Sequence, residues 1–299
     1  MSVDSTSIAC VACGEPLSMS VRKGSYEYLI CRRCGTAAMH PLPGDAEIVE
    51  HYRRGFAAGN YELLRRFAGR YEVVYRGFLE MIQQAFASQG RSLQGVRLMD
   101  VGCFTADFLA IAAEAGCDVI GFELQDEAVA IAQERLPGRV HQIDVHDRGL
   151  DGSTYDAICL FGVIEHVRDP IGLLTRCSVL LRPGGWIFLQ TPNRTSLPAR
   201  LLGKYWPPYS PVEHLHLFSQ AALVNALAKN GCEVKLVRPH WKRLPVEYVF
   251  EMMHHYGPEI RALLKPLYSI CPKPLRAAAL PFYAGEIVIA AKRASGLAG

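Results

Sequence analysis

Residues 98–109 read LMDVGCFTADFL, and this stretch is the main indication of the fold of the chain. An apolar run ends in Asp100 and Gly102 and leads directly into a helical pattern, which is typical of the cofactor turn of a nucleotide-binding α/β fold. The glycines that usually follow in such turns are replaced by Phe104 and Ala106. The turn therefore predicts a bound cofactor and leaves its class open.

Alternating strand and helix patterns surround this turn. Strands separated by helices of 10 to 15 residues predict right-handed crossovers and a mostly parallel sheet that is covered on both faces. We therefore expect an α/β, Rossmann-like fold with a seven-stranded sheet and ligands at the carboxyl ends of its strands. The strand candidates are 96–101, 118–123, 139–144, 155–162, 185–191, 233–238 and 285–291, and the helix candidates are 105–115, 126–136, 170–181 and 219–230.

Length and composition favour a globular enzyme-sized protein. The chain has 299 residues, 50% of them hydrophobic, which is enough to build a core. No window approaches the ~20 apolar residues of a membrane helix, and the start MSVDSTSIAC lacks a signal-peptide pattern, so we expect a cytoplasmic protein. Residues 238–299 carry 9 Lys and Arg against 4 Asp and Glu, which suits an anionic acceptor, a membrane surface or an ordinary solvated face.

Four of the ten cysteines form a metal-binding pattern at the N-terminus. Cys10 and Cys13 are separated by two residues, as are Cys31 and Cys34, and 17 residues lie between the pairs. Two such knuckles supply the four thiolates of a closed tetrahedral site, so we expect structural Zn²⁺ in a ribbon over residues 1–43, with two disulfides as the alternative. The other six cysteines lie in apolar stretches and are expected in the core.

A helical segment separates the ribbon from the sheet. Residues 45–89 contain no proline and show a helical period of apolar and aromatic side chains. We expect residues 44–90 to pack on the catalytic domain, residues 91–299, and to form a lid over its cofactor. The residues of this stripe are Tyr52, Phe56, Tyr61, Leu64, Phe67, Tyr71, Val74, Phe78, Met81, Ile82 and Phe86.

A long insertion, residues 240–284, interrupts the sheet before its last strand. Such insertions often lie over an active-site rim. This one is interpreted either as a specificity region for an anionic or lipid-linked acceptor or as a pair of amphipathic surface helices.

The residues at the strand ends separate two classes of cofactor. Gly102 allows close approach of a ligand, and Glu123, 21 residues further on, can accept hydrogen bonds from both ribose hydroxyls of an adenosine. A dinucleotide needs a glycine where Phe104 stands, so that backbone N–H groups reach its pyrophosphate. S-adenosylmethionine has no phosphate and carries a cationic amine that suits Asp100, so the turn favours S-adenosylmethionine over NAD or FAD.

The motifs together resemble class I S-adenosylmethionine-dependent methyltransferases. The resemblance is to a subgroup with an N-terminal zinc ribbon that includes sugar methyltransferases, and it extends to ubiquinone-biosynthesis O-methyltransferases. It runs through LMDVGCFTADFL, VIGFELQDEAVAIAQERL, YDAICLFGVIEHVRDP, LRPGGWIFLQTPN and EHLHLFSQAAL. Phe104 and Ala106 depart from the family's glycines, which leaves weakened or altered cofactor binding open. The cofactor-binding residues that the resemblance implies are Asp100, Gly102, Cys103, Phe104, Glu123, Leu124, Asp144, Val145, Phe161 and Gly162.

Acid–base groups follow the fifth strand in the stretch YSPVEHLHLFS. Methyl transfer needs alignment and, for a poorly acidic acceptor, a base, and histidine suits that role near neutral pH. We predict His214 with Glu213 as this base and His216 as the second candidate, unless the histidines only hydrogen-bond the loop in place. The pair Glu165 and His166, after the fourth strand, is interpreted as structural or substrate-facing. WPPY at 206–209 follows the wrong strand for an amino-methylating signature and is interpreted as a rigid loop, a candidate substrate wall.

Three classes of function follow. The leading one is methyl transfer to a small-molecule acceptor, foremost an oxygen of a sugar, nucleotide-sugar, quinone-like compound or secondary metabolite, with carbon methylation of a keto-sugar as a variant. The second is an RNA methyltransferase that grips RNA with its ribbon, although residues 1–90 carry 10 Lys and Arg against 9 acidic residues and phosphate binding needs a dense basic surface. The third is an inactive scaffold that has lost its cofactor. The acceptor atom and the oligomeric state do not follow from the sequence.

Overall fold

The N-terminal part of the chain forms a small antiparallel sheet followed by helices. The computed structural model describes residues 8–57, 68–150, 152–256 and 258–296. Of the predicted helical stripe, Tyr61, Leu64 and Phe67 lie outside the described residues. The elements of this part are strands β1 (Leu17–Lys23), β2 (Tyr26–Cys31) and β3 (Ala37–His40) and helices α1 (Asp45–Ala57) and α2 (Ala68–Ala87).

A seven-stranded sheet, counted over the described residues, lies at the centre of the molecule. Its strands are β4 (Arg97–Val101), β5 (Asp118–Phe122), β6 (Val140–His141), β7 (Tyr155–Phe161), β8 (Leu181–Pro192), β10 (Cys232–Pro239) and β13 (Glu286–Arg293). Their order across the sheet is β10-β13-β8-β7-β4-β5-β6. Strand β13 runs antiparallel to β10 and β8, and the other pairs are parallel. The predicted α/β fold with a mostly parallel sheet is confirmed.

Helices connect these strands, and side-chain caps set the start of three of them. The carboxylate of Asp169 accepts a hydrogen bond from the N–H of Gly172 at 2.8 Å, and the hydroxyls of Ser196 and Ser219 accept equivalent bonds in their helices. Such caps satisfy N–H groups that have no partner inside the helix. The helices are α3 (Asp107–Glu114), α4 (Asp126–Arg135), α5 (Pro170–Leu180), α6 (Leu197–Leu202) and α7 (Gln220–Lys229).

Two strands differ in length from their predictions. Strand β6 ends at His141 because the chain turns away there, and the Asp144 carboxylate accepts the N–H of His146 at 2.8 Å in that turn. Strand β8 begins at Leu181 rather than at residue 185. A register shift against β7 accommodates the extra residues, and Gly184 takes a φ of 77° within it.

Apolar side chains cover both faces of the sheet. One core cluster joins Ile158 and Leu160 of β7 to α5 and α7, and the other joins Leu98 of β4 to Phe78 and Ile82 of α2. Each such side chain, when fully buried, contributes about 1.5–3 kcal/mol. Five of the six scattered cysteines are buried core residues, as predicted: Cys103, Cys117, Cys159, Cys177 and Cys232. The prediction is wrong for Cys271, which is only half-buried because it follows the helix Pro258–Ile270, a helix without buried residues.

The insertion before the last strand combines helices with a two-stranded antiparallel sheet. Strands β11 (Lys242–Pro245) and β12 (Ala279–Phe282) pair antiparallel at its base, with Lys242 opposite Phe282. Between these two strands lie helices α8 (Val246–Tyr256), α9 (Pro258–Ile270) and α10 (Lys273–Ala277).

No helix among the described residues combines the length and the apolar character that crossing a membrane requires.

The N-terminal sheet continues into the rest of the chain. Its fourth strand is β9 (His216–Leu217), which pairs antiparallel with β3 through Ala37 opposite Leu217 and Ala38 opposite His216. The N–H of Met39 also donates to the carbonyl of Leu215 at 2.9 Å. The cysteine-bearing sheet is therefore joined by backbone hydrogen bonds to the segment that follows the fifth strand of the large sheet.

We expect Gly102→Ala to lower the free energy of unfolding by about 2 kcal/mol or more, since a left-handed backbone alone costs an L residue about 1–2 kcal/mol. The added Cβ would also lie 2.8 Å from Cγ2 of Val163. Gly138 has a similar φ, +72° against +67°, with no atom within 4 Å of its Cβ position, so Gly138→Ala isolates the backbone contribution. Urea unfolding compares the two variants, and equal losses would show that Val163 moves aside freely.

Candidate functional site

The turn after β4 has a left-handed backbone at three positions. The φ angles are 67° at Gly102, 48° at Phe104 and 58° at Ala106. Only glycine adopts this conformation without strain. Phe104 and Ala106 thus retain the backbone shape that glycines give to such turns, and the two departures from the family pattern leave the path of the turn intact.

Glu123 ties this turn to the end of β5. Its Oε2 accepts the N–H of Phe104 at 2.9 Å, and its Oε1 accepts the N–H groups of Leu124 at 2.7 Å and Gln125 at 3.0 Å. An ionised carboxylate offers about four lone-pair sites. Glu123 therefore holds the turn and retains acceptor capacity on Oε2 for a hydroxyl group of a ligand.

Asp100 is a buried carboxylate at the end of β4. Its side chain is 5% exposed, and no hydrogen-bond donor within the described ranges contacts its carboxylate. Burial, and then the charge of Glu123, raises the pKa of Asp100 well above its ordinary value. A carboxylate in this state is stabilised by a cation, so the site suits the ammonium group of a ligand.

The other predicted cofactor residues lie along the same edge of the sheet but differ in exposure. Cys103 and Val145 are buried, whereas Leu124 and Asp144 are exposed. Gly162 follows β7 with a φ of 69°. The structure therefore brings together strand ends that are far apart in sequence, as a parallel sheet requires.

An aromatic stack borders the end of β7. The ring of Phe161 stacks on Phe78 of α2 with centroids 4.0 Å apart, and Phe78 stacks in turn on His240 at 4.9 Å. Burial lowers the pKa of His240 to about 4, and its buried Nε2 has no hydrogen-bond partner in the described structure. The stack joins α2, β7 and the end of β10 beside the candidate cofactor site.

Glu165, His166 and His214 form an acid–base cluster. Their ligand atoms lie within 4.8 Å of one another, and the imidazole centroids are 4.8 Å apart. The carbonyl of Glu165 accepts the N–H groups of Leu215 at 2.8 Å and His216 at 3.0 Å, which joins the end of β7 to the segment before β9. Burial raises the pKa of Glu165 to about 7.

Backbone carbonyls determine the tautomers of both histidines. His214 Nδ1 lies 2.7 Å from the carbonyl oxygen of Pro208, and His166 Nδ1 lies 2.7 Å from that of Glu213. A carbonyl only accepts, so Nδ1 must carry the hydrogen in each ring. Each Nε2 then has a lone pair that could take a proton or, together with Glu165, contribute to holding a divalent cation.

The remaining predicted catalytic residues occupy different surroundings. Glu213 lies beside His214, and its Oε2 accepts the hydroxyl of Ser210 at 2.8 Å. Burial acts to raise the pKa of Glu213, but His214 and His166 outweigh it and the pKa is lowered. His216 lies outside the cluster, 4% exposed, with Nε2 3.3 Å from the carbonyl of Arg168, and burial lowers its pKa to about 4.

Several polar residues at this edge were not predicted as site residues. The hydroxyl of Tyr52 on α1 lies 3.0 Å from His166 Nδ1. Lys242 Nζ lies 2.8 Å from Glu286, which also accepts a hydrogen bond from Gln190 at 2.7 Å. In the sequence, Tyr52 is one member of an aromatic stripe, and Lys242 and Glu286 are 44 residues apart. Only the folded chain reveals that they share one edge.

The WPPY loop packs on the N-terminal sheet. Trp206 is fully buried and donates from Nε1 to the carbonyl of Ala284 at 2.8 Å. Tyr209 packs edge-on against Tyr28 with centroids 5.0 Å apart. The loop is thus a packing element in the described structure.

The four N-terminal thiols meet in one place. Cys10 Sγ lies 3.5 Å from Cys34 Sγ, Cys13 Sγ lies 3.5 Å from Cys31 Sγ, and all four sulfurs lie within 4.8 Å of one another. A tetrahedral zinc site with Zn–S bonds of about 2.3 Å has sulfurs about 3.8 Å apart. The donor set and its spacing therefore fit Zn²⁺.

Comparison with known sequences matches this chain to catalogued methyltransferases. A family model described as "Methyltransferase domain" matches residues 51–237. A ubiquinone biosynthesis O-methyltransferase of Bordetella avium is 36% identical over 124 residues, 39% of this chain and 49% of that protein. One of Sinorhizobium medicae is 29% identical over 154 residues, 48% of this chain and 62% of that protein. The chain thus spans about half to three fifths of the length of these curated relatives.

Solved structures share the fold. Magnesium protoporphyrin IX methyltransferase from Synechocystis PCC 6803 with bound SAH matches with a TM-score of 0.53 at 15% identity, covering 82% of this chain and 99% of that one. An O-methyltransferase family protein from Burkholderia thailandensis matches with a TM-score of 0.53 at 16% identity, covering 84% of this chain and 63% of that one. Because the family model spans more than half of the sequence and the sheet has the same architecture, the chain belongs to the methyltransferase-domain family.

Proposed function

We propose that the protein transfers a methyl group from S-adenosylmethionine to an oxygen of a small-molecule acceptor. The observation that carries this proposal is the buried Asp100 carboxylate, which has no donor among the described residues and lies next to the turn held by Glu123. A cationic amine linked to a ribose satisfies both carboxylates. His214 lies at the same edge of the sheet, with its Nδ1 bound to the carbonyl of Pro208.

Different residues at the carboxyl edge of the sheet bind different parts of the cofactor in this proposal. S-adenosylmethionine supplies the methyl group, which its sulfonium carries when bound. Asp100 binds the amine, and Oε2 of Glu123 accepts from the ribose. Asp144 and Val145 flank the adenine, whereas Phe161 and Gly162 border the reacting end, where the ring stack of Phe161 and Phe78 excludes water.

His214 acts as the base in this proposal. Its Nδ1–H is engaged by the carbonyl of Pro208, so Nε2 is free to take the proton of an acceptor hydroxyl. The carboxylates of Glu213 and Glu165 stabilise the imidazolium that forms. His216 is the second candidate but lies buried against Arg168, away from the cluster.

Charge and relatives favour a neutral hydroxyl acceptor. The relatives quoted above are named O-methyltransferases, which favours oxygen as the acceptor atom. Lys242 is already paired with Glu286 at 2.8 Å, so its charge is not available to an anionic acceptor. A sugar, nucleotide-sugar or lipid-linked acceptor, carbon methylation and RNA methylation stay predictions. The scaffold alternative is disfavoured because the altered turn retains its backbone shape.

The remaining assignments follow the sequence. We propose a structural zinc ribbon over residues 1–43, a helical lid over 44–90 and a methyltransferase domain over 91–299, with the insertion 240–284 at its rim. The contact of Tyr52 with His166 supports the lid. We also propose a reducing, cytoplasmic environment, in which the cysteine quartet keeps its thiolates available for zinc.

Asp100→Asn should weaken S-adenosylmethionine binding by ~10- to 100-fold, since a charged hydrogen-bond partner contributes about 1.5–3 kcal/mol. Titration calorimetry measures the Kd of the unmodified protein and the variant. Asp118→Asn, at the opposite end of the neighbouring strand β5, is the control and should leave the Kd unchanged. Equal affinity in all three proteins would remove Asp100 from the cofactor site.

His214→Gln should lower kcat by about 10²–10⁴-fold and leave the Kd of S-adenosylmethionine within about twofold, because a base acts on the acceptor and not on the cofactor. Formation of S-adenosylhomocysteine is first screened against hydroxylated quinones, phenols, sugars and nucleotide-sugars. The acceptor that turns over is then used for both proteins. The same measurement is made on His216→Gln. A larger loss of kcat in that variant would mean that His216, and not His214, is the base.

The purified protein should contain about one zinc ion per chain, because the four thiols close a single tetrahedral shell. Elemental analysis by plasma mass spectrometry measures the metal. Cys34→Ser should lose most of the zinc and unfold at a lower temperature, whereas Cys271→Ser, outside the quartet, should retain it. A metal-free protein whose intact mass reports two disulfides would contradict the zinc assignment.

A further inference from the structure

The N-terminal sheet reaches the candidate base directly. Strand β3 pairs with β9, whose first residue, His216, is two positions beyond His214. The N–H of Met39 donates to the carbonyl of Leu215 at 2.9 Å. The segment that carries the base is thus held on one side by the ribbon and on the other by the carbonyl of Glu165.

Tyr28 contacts His214 through the backbone. Its hydroxyl donates to the carbonyl of His214 at 2.9 Å, across 186 residues of sequence. The side chain is fully buried and packs edge-on against Tyr209 at 5.0 Å. Burial raises the pKa of Tyr28, so the hydroxyl remains a donor over the working range of pH. The carbonyl of His214 therefore has a fixed partner that belongs to the ribbon.

Val212 shows that this segment is strained. Its φ is 70°, and a β-branched residue in the left-handed region is a genuine outlier whose conformation is strained. Its N–H donates to Sδ of Met39 at 3.3 Å. A strained turn persists only where its surroundings hold it, and here a contact that holds it comes from β3.

The ring of His214 is fixed from two directions as a result. Tyr28 holds its backbone carbonyl, and the carbonyl of Pro208 holds its Nδ1–H at 2.7 Å. Together the two bonds leave the side chain little freedom to rotate. The ring is then kept beside Glu165 and His166.

We propose that Tyr28 is a positioning residue for His214, with Met39 as its support, so that the ribbon forms part of the methyl-transfer site rather than a separate module. The inference rests on the proposed role of His214 as the base. Tyr28 acts through the backbone of the segment 212–217, because its hydroxyl bonds to the carbonyl of His214. Loss of its hydroxyl leaves the half-buried carbonyl of His214 without this donor, and the segment relaxes around it.

Tyr28→Phe in the full chain tests this inference. The His214 ring is followed by NMR on protein with selectively labelled histidine, and its signal is assigned by its absence in His214→Gln. We expect the variant to shift or broaden this signal and to raise the share of the tautomer protonated on Nε2. With an acceptor that turns over, kcat should fall by about 10-fold while KM for S-adenosylmethionine stays within twofold.

Tyr26→Phe is the matched control. Tyr26 lies on the same strand, and its hydroxyl donates to Glu47 of α1 instead of to the His214 segment. Removing this hydroxyl should leave the His214 signal and kcat unchanged. A similar change in both variants would mean that any loss of a ribbon hydroxyl disturbs the site, and would overturn the specific role of Tyr28.

A second variant keeps the test decisive if Tyr28→Phe does not fold. Met39→Leu retains the apolar volume and removes the sulfur that accepts from Val212. We expect a smaller change of the His214 signal in the same direction. Unaltered His214 signals in folded Tyr28→Phe and Met39→Leu would overturn the inference.

Calorimetric titration of the same samples with S-adenosylmethionine separates the two claims. Lack of binding to the unmodified protein would contradict the proposed methyl transfer, whereas the NMR comparison would still decide whether Tyr28 positions His214. Binding that is equal in all variants, together with an altered His214 signal in Tyr28→Phe, supports both claims.

Discussion

The carboxylate of Glu123 is the interaction on which the cofactor side of the molecule depends. It accepts one N–H from the turn after β4 and two from its own loop after β5. The turn contains three left-handed residues, two of which carry side chains. Charge-assisted bonds of this kind are about twice as strong as neutral ones, so they help to offset the strain at Phe104 and Ala106. The edge of the sheet keeps its shape although two glycines are missing.

Electrostatics divides this edge into two regions. Around Asp100 a buried carboxylate lacks a donor among the described residues, and this region suits a cation. At the far side of the sheet, Lys242 and Glu286 neutralise each other within a network that includes Gln190. In the proposed reaction, these charges suit a cationic cofactor and an uncharged acceptor. Glu165 and His166 follow β7, which lies between β4 and β13 in the order of the sheet.

The ribbon is joined to the rest of the chain by strand pairing, a hydrogen bond and apolar packing. Its strand β3 pairs with β9. The Ser219 hydroxyl that caps α7 also donates to the carbonyl of Cys34. Tyr28 of the ribbon and Trp206 belong to one apolar cluster. Ribbons of this size bury too little apolar surface to be stable alone. Here the four thiols organise one end of the ribbon and the catalytic half covers the other, so the stability of the ribbon and the geometry of the His214 segment are linked.

Short-range patterns in the amino-acid sequence were sufficient to predict the order of strands and helices and the cysteine quartet. They also placed Asp100, Gly102 and Glu123 at strand ends. Such patterns act over a few residues, through side-chain periodicity, turn residues and spacing. The same patterns left open whether Phe104 and Ala106 weaken cofactor binding, and the structure adds that both residues adopt a left-handed backbone. They did not reveal the bond from Tyr28 to His214, the pairing of β3 with β9, or the link between Lys242 and Glu286. These contacts join residues 186 and 44 positions apart, and Ala37 and Leu217 of the β3–β9 pair are 180 positions apart. Their formation depends on how whole elements pack, which no local pattern encodes.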